Sequence, residues 1–229
     1  MKKFSISGII IYNLWGERMN IEKTIKNLEK NNIEVVFVEK KDEVIPLLEK
    51  IVKEGATVAV GGSVTLDELG VLEHLRSGRY NFLDRYKKGL SGDEIKDIYR
   101  KSFGADAYFC SANAITEDGE IYNVDGNANR ISAIAFGPEN VIIIAGVNKL
   151  VKDIDEAVKR VKTVAAPKNC VRLCKNTYCA KNGVCVDVDG GMGKGCDSPE
   201  RICRHYIVSA KQAIKGRIKV ILVNENLGY

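Results

Sequence analysis

The stretch IEVVFVEKKDEVIPLLEKIVKEGATVAVGGSVTL, residues 33–66, decides the fold class. Its two apolar, β-branched runs, 33–38 and 57–60, are typical of buried strands. Between them, Val44, Leu48 and Ile51 recur at helical spacing, and Pro46 fits such a helix only near its first turn. Short strands that alternate with helices predict an open, mostly parallel sheet with helices on both faces.

The alternation continues on both sides of this stretch. A helical pattern covers 17–31, and three further helices are predicted to begin at the capping pairs Thr65/Glu68, Ser91/Glu94 and Asp153/Glu156. Strands are predicted at 107–110, 120–123, 141–146 and 218–223. A chain of 229 residues can hold one substantial α/β domain, or one domain with a small appendage, and we favour the second. We therefore predict an N-terminal extension, 1–18, and a domain, 19–229, that includes a cysteine-rich loop, 168–206.

The composition excludes some classes of function. Lys and Arg outnumber Asp and Glu by 35 to 30, which favours small anionic ligands. No basic run is interleaved with aromatic residues, so nucleic-acid binding is not predicted. No apolar run reaches the roughly 18 residues that a membrane-spanning helix needs. We expect a soluble cytoplasmic protein, and a homo-oligomer is compatible with the sequence.

Six of the seven cysteines fall within residues 170–203, among small, polar and charged residues. A disulfide knot is disfavoured, because the preceding 160 residues look like an ordinary core that needs no covalent staples. Buried free thiols are disfavoured too, since a Gly-, Asp- and Lys-rich loop cannot bury them all. A thiolate metal site remains, and the spacing alone does not separate structural zinc from an iron–sulfur cluster.

Two polar loops are candidates for ligand binding. In the first loop, a glycine turn after the strand 57–60 leads into a helix, whose N-terminus favours an anion. The candidate binding residues there are Gly61, Gly62, Ser63 and Thr65. The alternative is that the same residues simply make a tight turn and cap the helix. The second loop supplies Asn113, Thr116, Asn123, Asp125, Asn127 and Asn129. Here the alternative is a pair of hairpin turns at Asp118-Gly119 and Asp125-Gly126.

Three residues of the second loop have side chains suited to catalysis. Glu117 or Asp118 could act as a general base, and Arg130 could clamp a carboxylate through two parallel hydrogen bonds.

The chain resembles the LUD-domain family, the lactate utilisation proteins. The matching phrases are VAVGGSVTL (58–66), LDRY (83–86), NAITEDG (113–119), NVDGNANR (123–130), FGP (136–138) and GVNK (146–149). The resemblance implies a fold like that of ribose-5-phosphate isomerase, glucosamine-6-phosphate deaminase and the CoA-transferases. It also implies oxidation of L-lactate to pyruvate together with iron–sulfur partner proteins, and it adds Lys149 to the predicted ligand-binding residues.

The resemblance also bears on the cysteines. A family cysteine series is matched by Cys179, Cys185, Cys196 and Cys203, with a longer Gly-rich insert at 186–195, and the additional Cys170 and Cys174 could substitute as ligands. Analogy with proteins that work beside electron carriers favours a [4Fe–4S] cluster over zinc. We therefore expect a redox subunit or accessory protein of hydroxyacid oxidation. The alternatives are a non-redox isomerase, transferase or ligand-binding module with structural zinc, and an assembly subunit with no site of its own.

Overall fold

The computed structural model of the chain describes residues 11–13 and 15–229. Its strands, in chain order, are β1 (Ile11–Tyr12), β2 (Arg18–Met19), β3 (Glu34–Val38), β4 (Thr57–Val60), β5 (Asn81–Phe82), β6 (Ala107–Cys110), β7 (Ala114–Thr116), β8 (Ile121–Asp125), β9 (Asn140–Gly146), β10 (Leu150–Val151), β11 (His205–Ser209) and β12 (Ile218–Val223). Most of the predicted N-terminal extension, including residues 1–10 and 14, lies outside the described residues; β1 pairs with β2 in an antiparallel hairpin.

The helices are α1 (Ile21–Lys30), α2 (Val44–Ile51), α3 (Val64–Glu68), α4 (Val71–Leu75), α5 (Gly92–Lys101), α6 (Asn129–Ala135), α7 (Ile154–Arg160), α8 (Ala166–Arg172) and α9 (Tyr178–Asn182). A π-helical turn, Val161–Ala165, joins α7 to α8, and short 3-10 turns cover Lys41–Glu43, Ser102–Gly104 and Val147–Lys149. No helix in the described part of the chain is long and apolar enough to cross a membrane.

The main sheet has six parallel strands in the order β3-β12-β9-β6-β4-β5. The last strand of the chain, β12, therefore lies inside the sheet, between β3 and β9. The apolar residues of β12 and β9 are buried on both faces of the sheet, as expected for central parallel strands. The predicted α/β class is confirmed.

Helices cover both faces of this sheet, and alternate residues of β9 show how. Ile142 and Ile144 pack into one core with α2, α3 and α4, whereas Val141 and Ile143 pack into another with α1 and α6. This alternation follows from the two-residue repeat of a strand.

A second sheet, in the order β10-β7-β8-β11, departs from the prediction of a single sheet. The segment predicted as a strand at 120–123 forms β8 of this second sheet, because it folds back on β7 as an antiparallel hairpin. The predicted turn at Asp118-Gly119 is confirmed, with Gly119 at φ +80°. The predicted turn at Asp125-Gly126 is wrong, since the chain there leads into α6.

The predicted capping residues are confirmed at two of the three helix starts. Ser91 with Glu94, and Asp153 through the backbone N–H of Glu156, cap α5 and α7 as predicted. The pair Thr65/Glu68 is wrong: Ser63 caps α3 by accepting from the N–H of Leu66, and Thr65 is buried. The predicted cysteine-rich loop, 168–206, is partly helical, because α8 and α9 extend into it.

Candidate functional site

A cleft of about 510 Å³ opens where β4, β6 and β9 end. Its floor comes from the residues that follow these strands, 62–65, 111–113 and Lys149. The facing wall comes from α8 and from residues 199–204 of the cysteine-rich region, and Tyr229 also lines it. The carboxyl ends of parallel strands are where open α/β sheets bind ligands. This cleft is therefore the candidate site.

The lining of the cleft is strongly cationic. Its only carboxylate side chains in the described chain are Asp125 and Glu200, against seven basic side chains: Arg85, Arg130, Lys149, Arg172, Lys175, Arg201 and Arg204. The interior shows the same imbalance. Among the described residues the buried basic side chains are Arg130, Lys149, Arg160 and Lys162, and no buried Asp or Glu accompanies them. An anionic ligand would offset this positive charge.

Lys149 lies at the floor of the cleft and is only 2% exposed. Its Nζ donates to Thr65 Oγ1 at 2.7 Å and to Ser111 Oγ at 2.8 Å. Burial, together with the nearby guanidinium groups of Arg160 and Arg130, holds the pKa of Lys149 well below its ordinary value. The Thr65 hydroxyl in turn donates to the carbonyl of Leu227 at 3.3 Å. Thr65 and Lys149, both predicted ligand-binding residues, thus meet at one point.

Arg130 lines the cleft, but its five N–H donors are all directed at protein acceptors. They reach Asp125 Oδ1 at 3.5 Å, the carbonyls of Ser111 and Val124 at 2.9 Å each, Asn123 Oδ1 at 3.0 Å and Asn113 Oδ1 at 2.8 Å. A guanidinium has no further donors. The predicted carboxylate clamp is therefore not available from Arg130, which instead joins the loop after β6 to β8.

The second predicted loop divides into residues at the cleft and residues away from it. Asn113, Asp125, Asn127 and Asn129 line the cleft. Asn123 is fully buried beneath it, where its side-chain oxygen accepts from Arg130 and its Nδ2 has no hydrogen-bond partner.

The structure does not bring the two predicted general bases to the cleft. Glu117 accepts from the backbone N–H of Asn20 at 2.8 Å and pairs with Lys23 at 3.1 Å. Asp118 also pairs with Lys23, at 3.5 Å, and neither carboxylate lines the cleft. Thr116, likewise outside the lining, contacts Glu120. The β7–β8 turn packs on α1, so these residues hold the hairpin there.

The predicted glycine turn lies partly at the cleft, but the helix after it is too short to attract an anion strongly. Gly62 and Ser63 line the cleft, whereas Gly61 packs under Arg130 and Tyr108, where an added Cβ would lie 3.0 Å from each. The helix that follows, α3, has only five residues before the chain turns at Gly70. So short a helix has little dipole to offer an anion, and the cationic side chains are the stronger attraction.

The cysteines of the predicted metal site surround a second, smaller cavity of about 20 Å³. Cys179, Cys185, Cys196 and Cys203 all line it, and Cys203 also lines the large cleft. Cys170 is buried on α8, Cys174 is exposed, and neither lines the cavity. All seven cysteines are free thiols. The metal candidates are thus gathered at one place beside the cleft.

The donor chemistry of this cavity fits a thiolate-bound metal. Lys162, on the π-helical turn, also lines it, and its ammonium donates to the carbonyls of Asp187 and Gly190 with no carboxylate partner among the described residues. Thiolates would supply the missing countercharge. No three His, Cys, Asp or Glu side chains of the described chain already form a ligand set, so the thiols must turn inward to bind. The volume suits one ion, since a single water needs roughly 10–15 Å³.

Comparisons with known proteins identify the family. A sequence profile of the LUD domain matches residues 21–223. The chain belongs to the LUD-domain family. The match covers the six-stranded and four-stranded sheets, the cleft lining except Tyr229, and the cysteine-rich region, and it ties the protein to lactate utilisation.

The fold of this LUD domain has a counterpart among solved structures. A DUF162 family protein from Deinococcus radiodurans superposes with a TM-score of 0.50 at 14% identity, over 90% of this chain and 96% of that one. The β subunit of eIF2B from Chaetomium thermophilum matches at a TM-score of 0.35 and 17% identity, over 52% of this chain and 42% of that one. No sequence among curated proteins matches significantly.

Two arginines of the cleft, Arg85 and Arg172, were not predicted from the sequence. Arg85, within the family phrase at 83–86, lines the cleft with its guanidinium 5.1 Å from the ring centre of Tyr86 and 4.7 Å from that of Tyr99. Arg172 reaches the cleft from α8 and donates to the Tyr229 hydroxyl at 3.0 Å. The phrase around Arg85 was an available signal for one of them. Nothing in the local pattern around Arg172 distinguishes it from a surface arginine.

Proposed function

We propose that this LUD-domain protein binds a small carboxylate of the 2-hydroxy or 2-oxo acid class in its cleft and takes part in the oxidation of L-lactate or a similar hydroxyacid. The observation that carries the proposal is the excess of cations in the cleft lining. Arginine pairs well with a carboxylate, because two parallel N–H groups match its two oxygens. Family membership supplies the link to lactate.

We further propose a metal centre held by Cys179, Cys185, Cys196 and Cys203, a [4Fe–4S] cluster in the redox version of this function. Cys203 supports this arrangement, since it lines both the thiol cavity and the cleft. The uncompensated charge of Lys162 supports an anionic centre. When bound, such a cluster accepts electrons and passes them to iron–sulfur partner proteins. The free thiols suit a reducing, cytoplasmic compartment.

The small volume of the thiol cavity favours a second candidate, a non-redox ligand-binding module with structural zinc. About 20 Å³ accommodates one ion, whereas a four-iron cluster requires the surrounding loop to open. Four thiolates also satisfy tetrahedral zinc.

Anaerobic purification followed by metal analysis and absorption spectroscopy separates the two candidates. Iron with sulfide, and a broad visible absorption that bleaches with dithionite, supports the redox function. A colourless protein with stoichiometric zinc supports the second candidate. We expect Cys203→Ser to lose the metal and Cys110→Ser to keep it, because Cys110 lies fully buried in β6. A metal-free wild-type protein that takes up neither metal refutes the metal centre in both candidates.

Calorimetric titration with L-lactate, pyruvate and inorganic phosphate tests the cleft. Arg85 is the residue to change, because it lines the cleft and has no carboxylate partner among the described residues. A charge-assisted hydrogen bond contributes about 1.5–3 kcal/mol. Arg85→Gln should therefore weaken carboxylate binding about 10- to 100-fold. The matched control is Arg100→Gln, whose exposed guanidinium pairs with Asp97 on α5. Equal affinity in both variants contradicts the proposed site.

A further inference from the structure

We infer that Lys149 is a nucleophile whose Nζ forms an imine with the carbonyl carbon of a 2-oxo acid bound in the cleft. The inference rests on the proposed function, because it assigns a chemistry to the ligand of the same site. Lys149 lies at the cleft floor, where the loops after β4, β6 and β9 converge. A carbonyl group that enters the cleft with its carboxylate held by the arginines would face this nitrogen.

The hydrogen bonds of Lys149 match a neutral amine. A neutral –NH₂ has two N–H donors and one lone pair, whereas an ammonium has three donors. The structure supplies two acceptors, the hydroxyl oxygens of Thr65 and Ser111, and no third acceptor in the described part of the chain. A buried ammonium would leave one donor unsatisfied. The neutral form leaves a lone pair, which is what attack on a carbonyl requires.

The electrostatic surroundings agree with this geometry. Lys149 has no carboxylate within ion-pair distance in the described chain, and Arg160 is fully buried, with one terminal nitrogen unpartnered. Burial is the main cause that lowers the pKa of Lys149, and Arg160 and Arg130 lower it further. Enzymes that use a lysine nucleophile activate it in the same way, by desolvation or by a neighbouring cation.

The two hydroxyls can relay the protons of the reaction. Nζ attacks the carbonyl carbon, the carbonyl π electrons move to oxygen, and the nitrogen loses one proton while the oxygen gains one. The resulting carbinolamine loses its hydroxyl group as water, with a second proton taken from nitrogen, to give the imine. Ser111 and Thr65, in contact with Nζ, are placed to carry these protons. The balance is one amine plus one carbonyl giving one imine plus water, with no oxidant.

Reductive trapping tests the inference on the wild-type protein. The purified protein is incubated near pH 7 with pyruvate and sodium cyanoborohydride, which delivers hydride to an imine carbon, and the peptides are mapped by mass spectrometry. We expect a reduced pyruvate adduct on Lys149. L-lactate, which has no carbonyl, should give no adduct. Lys149→Arg should lose the adduct, whereas Lys96→Met should keep it, because Lys96 lies on α5 outside the cleft lining and pairs with Asp93.

Calorimetry with pyruvate on the same preparation separates the inference from the proposed function. If pyruvate binds and Lys149 carries no adduct, or carries no more than the surface lysines, the inference is overturned and the anion site stands. If neither pyruvate nor L-lactate binds and no adduct forms, both proposals fall. If Lys149→Arg keeps the full wild-type amount of adduct on another lysine, the assignment of this residue is overturned. Because the mapping uses the wild-type protein, poor folding of a variant does not affect the result.

Discussion

Replacement of Arg130 by methionine tests whether this residue holds the site together or binds the ligand. Methionine has a similar unbranched length and no N–H donors. Arg130 is 8% exposed, and its bonds to the Ser111 carbonyl, the Val124 carbonyl and Asn123 Oδ1 are buried. An acceptor left unsatisfied costs about 1–3 kcal/mol, so loss of these bonds alone would cost about 3–9 kcal/mol.

Water from the adjoining cleft reduces that cost, because it can reach some of the freed acceptors. We therefore expect Arg130→Met to lower the free energy of unfolding by about 3–5 kcal/mol. Urea unfolding followed by far-ultraviolet circular dichroism measures the change. Arg100→Met, which removes an exposed guanidinium from α5, should change it by less than about 0.5 kcal/mol. The reasoning is refuted if Arg130→Met keeps wild-type stability and only the affinity for carboxylates falls.

Three further predictions concern other parts of the chain. Because the pKa of Lys149 is lowered in the folded state, the stability of the wild-type protein rises with pH up to the unfolded pKa of about 10.4. Lys149→Met lacks this group, so its stability relative to wild type should decline between pH 7 and pH 10 in urea titrations. A difference that stays constant with pH contradicts this. Gly119→Ala should lower the free energy of unfolding by about 2–5 kcal/mol, since φ is +80° there and the added Cβ would lie 2.5 Å from the backbone of α1. The control Gly55→Ala, at φ +77° with no atom within 4 Å of the added Cβ, should lower it by only about 1–2 kcal/mol. Equal shifts in the thermal unfolding of the two variants would show that the contact with α1 is unimportant. Ser63→Ala should cost about 1 kcal/mol by loss of the α3 cap, measured by the same unfolding assay; an unchanged unfolding energy would argue against the cap.

The family and the main sheet could be predicted from local patterns. The apolar run at 141–146 and the alternation of strands and helices depend on residues close in sequence, and they correctly predicted parallel strands covered on both faces. The second sheet was missed because β8 has the same apolar character as a strand of the main sheet. Only its antiparallel pairing with β7 and β11 distinguishes it, and that pairing depends on partners elsewhere in the chain.

The roles of individual site residues could not be predicted in this way. Glu117 and Asp118 looked like free carboxylates until the fold placed Lys23 beside them. Arg130 looked like a ligand clamp until its donors were matched to acceptors spread over residues 111–125.

By itself, the sequence determined the family, the α/β class, the cationic balance and the presence of a cysteine cluster, because these follow from composition, short-range periodicity and short phrases within the chain's own loops. Tertiary structure decided that Lys149 meets Thr65 and Ser111, and that Cys203 lies between the thiol cavity and the cleft. The physical reason is that burial and hydrogen-bond satisfaction are properties of groups brought together from distant segments.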